Sequence, residues 1–157
     1  MHELLTAMPL DRLQGLYEAL PEELSRALDA PIAKALNSRP QTVAKRPVAM
    51  RMKALAALLR RTRDDTLAGE LLRAYLLGPR KELVVDFLDA TGVSHKDGEI
   101  DEGEPDPEKV PEAMESVLAD HDAGDVALYL EVATRQWPAH EAVAAALVQA
   151  RAAEAAA

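Results

Sequence analysis

The chain has 157 residues, a net charge of -9 from 18 Lys plus Arg against 27 Asp plus Glu, and no Cys. The length suits one domain, with room for two small lobes and a core that stands without metal or disulfide support. Lack of Cys excludes disulfides, Cys-based zinc sites, Fe–S clusters and thiol nucleophiles. The start, Met1 to Gln14, carries no basic segment followed by an apolar one, so no secretory signal is expected. No apolar run is long enough to span a bilayer, and a soluble cytoplasmic protein is the expectation.

Ala and Leu supply 53 residues, which points to helices, and the preference for Arg (12) over Lys (6) fits a GC-rich bacterial source. Leu13, Leu16, Tyr17 and Leu20 recur at helical spacing. Pro21 then opens a second helix with Glu22 and Glu23 in its first turn, where acids oppose the helix dipole. Pro31 starts a short turn or helix ending near Asn37, and Asn37 to Pro47 reads as a connector. From Pro47 the spacing of Val48, Met52, Leu55 and Leu59 predicts a longer helix. Asp64 or Asp65 caps the next, carrying Leu67, Leu71, Leu72, Tyr75 and Leu76. After Gly78-Pro79 a third helix buries Leu83, Val84, Phe87 and Leu88 and ends at Gly92.

Val93 to Pro107 is polar and acidic. Asp97-Gly98 is a turn signal, so a hairpin joining Val93–His95 to Glu99–Asp101 competes with a plain loop. Helical spacing resumes with Val110, Met114 and Val117, then Val126, Tyr129, Leu130 and Ala133. Pro138 starts a last helix through Val143, Leu147 and Ala150, whose terminal residues should fray. The expected fold is all-α: an irregular bundle or short superhelix of seven or eight short antiparallel helices, with one minor β-hairpin allowed near 93–101. One domain, 1–157, would hold a basic lobe (about 1–92), an acidic loop (93–107) and an acidic lobe (108–157).

Charge is unevenly placed. Met1–Lys81 holds 14 basic and 9 acidic residues, Glu82–Ala157 holds 4 and 18, and Lys34–Arg63 holds nine bases and no acid. Such asymmetry speaks to partners rather than fold. Arg46, Lys53 and Arg60 recur two turns apart, and Arg61 and Arg63 extend the same positive surface. This surface could meet phosphates, but the acidic whole and the five aromatics give little support for stacking on single strands.

His95 followed by His121-Asp122 resembles the ligand order of metal-dependent phosphohydrolases of the HD type, which would imply a divalent ion activating water. The chain departs from that pattern: no distant Asp follows, and His121 falls at a helix end. Asp97, Glu99, Asp101 and Glu108 take calcium-loop positions, but Glu102 stands where the turn needs Gly. No phosphate loop or nucleophile elbow occurs. The leading expectation is a non-catalytic protein-interaction module that binds a protein partner or itself, without a cofactor. The alternatives are nucleic-acid association through Lys34–Arg63 and a metal-dependent hydrolase using His95, His121 and Asp122.

Overall fold

The structure, a computed structural model, describes residues 1–157. It is almost wholly helical with one small hairpin, and no helix is long and apolar enough to cross a membrane. Seven helices have nine residues or more, and four shorter ones fill the N-terminal part. The chain divides into two compact units, Met1–Pro79 and Arg80–Ala157. Counted by unit, charge is 12 bases against 9 acids in the first and 6 against 18 in the second.

The first unit contains α1 (His2–Ala7), α2 (Leu10–Glu18), α3 (Glu22–Ala27), α4 (Asp29–Ala35), α5 (Pro40–Ala44), α6 (Val48–Thr62) and α7 (Asp65–Leu77). Prolines set the starts: Pro9, Pro21 and Pro47 each stand immediately before a helix, where a missing N–H costs nothing. Two short helices lie where none was expected, α1 and α5. The Asn37–Pro47 connector is itself helical from Pro40, because Pro40 pre-sets the first turn and Val43 is fully buried.

Helix α6 is the axis of this unit, packing on α1, α2 and α4. Its stripe of Met52, Leu55 and Leu59 has no exposed surface and meets Leu5, Leu13 and Ile32 in one core. The α6–α7 corner is tight. Arg63 takes a left-handed conformation (φ 51°) and donates its N–H to the Leu59 carbonyl. Asp64, rather than Asp65, then caps α7 by accepting the Leu67 N–H at 2.9 Å.

The second unit contains α8 (Lys81–Thr91), β1 (Ser94–Lys96), β2 (Glu99–Glu102), α9 (Val110–Asp120), α10 (Ala123–Gln136) and α11 (Glu141–Ala156). Five consecutive residues of α10, Val126–Leu130, are buried, as expected of a helix enclosed by its neighbours α9 and α11. Helix α8 packs on α9 and belongs to this unit, so the break in the chain falls at Pro79/Arg80 and not after Gly92. Gly92 does end α8, at φ 75°.

The hairpin forms. Asp97 (φ 58°) and Gly98 (φ 89°) both have positive φ, the requirement of the two-residue turn that matches strand twist. His95 faces Ile100 and Lys96 faces Glu99, with an irregular register towards Ser94 and Glu102. Pro138 precedes α11 by three residues. The cap is His140, whose Nδ1 accepts the Val143 N–H. Helix α11 then runs to Ala156, further than the fraying expected from sequence.

Candidate functional site

The basic residues of α6 and its approach separate into two kinds. Lys53, Arg60, Arg61 and Arg63 are exposed and Arg46 is half-buried. Arg60 donates to the Thr6 carbonyl at 3.3 Å, and none of the five forms an ion pair. They therefore give the first unit a positive face with its charge uncompensated.

Arg51 is different. It sits one turn from Val48 and one from Leu55, in phase with the apolar stripe, and its side chain is 13 % exposed. Nη1 donates to the Tyr17 hydroxyl at 2.5 Å and to Asp29 Oδ1 at 3.2 Å. The guanidinium carbon lies 5.0 Å from the centre of the Tyr17 ring, so the cation also meets the negative face of an aromatic. The Tyr17 hydroxyl donates to the Ser25 carbonyl at 3.2 Å. Burial raises the Tyr17 pKa above its ordinary value, Arg51 opposes that rise, and Asp29 adds to it.

The local sequence builds this arrangement from four helices. Tyr17 lies on the inner face of α2, Asp29 begins α4, Ser25 belongs to α3, and Arg51 comes from the first turn of α6. Together with Glu18, Leu20, Glu22, Arg26 and Ala44 they line a cavity of about 410 Å³. The missed residue is Arg51. Its spacing relative to Val48, Met52 and Leu55 is the signal that singles it out from the other bases of the run.

The second unit engages its histidines one by one. His95 Nε2 lies 3.0 Å from Asp89, and its Nδ1 accepts the Gly98 N–H at 3.2 Å. His121 Nε2 lies 2.8 Å from Asp86. Asp122 caps α10, accepting the Asp125 N–H at 3.1 Å. His95, His121 and Asp122 thus have separate roles in tying β1, α9 and α10 into the unit. No group of three or more His, Asp or Glu side chains is placed to hold an ion. In the acidic segment Asp97 pairs with Lys81 at 2.6 Å, which holds its carboxyl below the usual range. Trp137 anchors the segment by donating Nε1–H to the Gly103 carbonyl at 3.2 Å, and His140 Nε2 lies 2.7 Å from the Pro105 carbonyl. Beside these anchors lies an open cavity of about 520 Å³.

No protein-family model matches the chain, and neither a curated protein nor a solved structure shows significant similarity to it.

Proposed function

We propose that the protein is a non-catalytic protein-interaction module whose basic α6 face engages an acidic protein surface. The observation that carries this reading is the charge left open: Lys53, Arg61 and Arg63 are exposed and unpaired on a unit with three more bases than acids. The second unit, with twelve more acids than bases, offers a surface of the opposite sign, so another copy of the chain is one available partner. The histidines and Asp122 support the same reading, because each serves a cap, a hairpin or a helix junction.

Sedimentation velocity of the full chain tests it. Association is expected at about 50 mM salt and is lost at about 500 mM, where screening shortens the reach of exposed charges to a few ångström. The triple substitution R60E/R61E/R63E should abolish association at low salt. A chain that stays monomeric at low salt would remove self-association. Turnover that depends on His95, His121 or Asp122 would remove the non-catalytic reading altogether.

The open cations also favour one second reading, association with duplex nucleic acid through Lys34–Arg63. Fluorescence anisotropy with a labelled duplex separates the two. Binding that falls steeply with salt and disappears in the same triple variant supports the second reading.

A further inference from the structure

We infer that the cavity above Arg51 is a binding site for a small zwitterion, a free α-amino acid. This is independent of the interaction reading, because the cavity residues are not those of the basic face.

The argument starts from an incomplete ion pair. A guanidinium has five N–H donors, and a buried one is stable only when acceptors meet them. Arg51 uses the two on Nη1, towards Tyr17 and Asp29. Nε is fully buried without an acceptor. Nη2 has no acceptor within the chain and is not closed off from solvent. A purely structural pair would be expected to satisfy more of the fork, especially with Asp29 only 7 % exposed. An incoming carboxylate would provide the acceptor that Nη2 lacks, as a charge-assisted hydrogen bond.

The rest of the lining sets the ligand's other end. Glu18, Glu22 and Asp29 are balanced by only Arg26 and Arg51, which leaves the cavity with one excess negative charge. Glu22 is paired with Arg26, and the Glu18 carboxylate has Gln14 as its partner at 2.9 Å. A phosphate or a dicarboxylate would be repelled by three carboxylates. A ligand bearing both a carboxylate and an ammonium matches the donor at the floor and Glu18 beside it. Leu20, Ala44 and the Tyr17 ring complete the lining with apolar surface. A volume of about 410 Å³ lies in the range of small-molecule sites, roughly 300–1,000 Å³.

Heteronuclear NMR on the full chain tests the site, with each of the twenty standard L-amino acids titrated in turn. At least one should cause saturable shifts at Tyr17, Ser25, Asp29 and Arg51. The α-amide and the N-acetyl form of that amino acid should each bind at least about tenfold more weakly, since each loses one charged contact. Arg51→Lys keeps a cation opposite Asp29 but removes the Nη2 donor, and should weaken binding by a similar factor. Glu18→Gln, an exposed substitution that leaves the core untouched, should weaken the amino acid and its α-amide, which both keep the ammonium, and leave the N-acetyl form unchanged; it carries the test if Arg51→Lys does not fold. Absence of saturable shifts with all twenty would overturn the inference. So would equal binding of acetate, or of the N-acetyl form, because either would leave the ammonium without a role.

Discussion

Tyr129 offers the sharpest quantitative test of the core. Its hydroxyl is buried without a hydrogen-bond partner, while its ring meets Phe87 edge-on at 5.3 Å and 71°. A hydroxyl taken from water without compensation costs about 1–3 kcal/mol. Tyr129→Phe removes that cost and keeps the ring. It leaves a void of roughly 10 Å³, which at about 24 cal/mol per Å³ costs near 0.2 kcal/mol. The variant should therefore be more stable, by about 1–3 kcal/mol. Trp137, the only Trp, lies in the same unit and is largely buried, so its fluorescence in urea reports the relevant transition. At a slope of about 2 kcal/mol per M the midpoint should rise by roughly 0.5–1.5 M with the slope unchanged.

The same phenol predicts a pH dependence. Burial raises the Tyr129 pKa far above its ordinary value of 10.0. Because the folded value is the higher one, the stability linked to this group is fully present below pH 10. It is lost as pH rises above that, where the unfolded chain ionises first, at up to about 1.4 kcal/mol per pH unit. The phenylalanine variant should escape this part of the loss, so its advantage should widen above pH 10. A variant less stable than the parent at pH 7, or an advantage that stays constant to pH 11, would refute the reasoning.

Asp29→Asn should destabilise the first unit by about 3 kcal/mol, because it leaves the buried Arg51 cation without its counter-charge; calorimetry would detect this as a lower Tm. Gly78→Ala should also destabilise, since an added Cβ would stand 2.7 Å from the Ala74 carbonyl oxygen, and a chemical melt with a lowered midpoint is the expected result. Lys81→Met should raise the titration midpoint of the Asp97 carboxyl towards the ordinary value, as followed by carboxyl carbon NMR; an unchanged midpoint would mean that Lys81 does not hold it down.

Much of the architecture could be read from spacing and turn chemistry. Met52, Leu55 and Leu59 lie on one buried stripe, Gly92 terminates α8, and Asp97-Gly98 turns a hairpin, each for a reason confined to a few neighbouring residues. What spacing could not supply was the partner of each element. A polar, acidic stretch after Gly92 suggested a division there, yet α8 packs on α9 and the units separate at Pro79/Arg80. The cavity was hidden for a similar reason. A run of nine bases reads as one solvated surface, and only the phase of Arg51 on α6 separates it from Lys53 two residues later. Asp29 and Tyr17 come from other helices, so no local pattern announces that they meet Arg51. His95 and His121 likewise stand out by order of sequence, whereas their carboxylate neighbours in the fold, Asp89 and Asp86, lie on α8 and follow from no local pattern.

The division at Pro79/Arg80 bears on how the chain is made. Each unit has its own core. Translation delivers the first 79 residues before any of the second set. At about 5–20 residues per second, the ribosome takes roughly 4–16 s more to add the remaining 78. Small helical cores close in microseconds to milliseconds. The first unit can therefore complete its core while the second is still being synthesised.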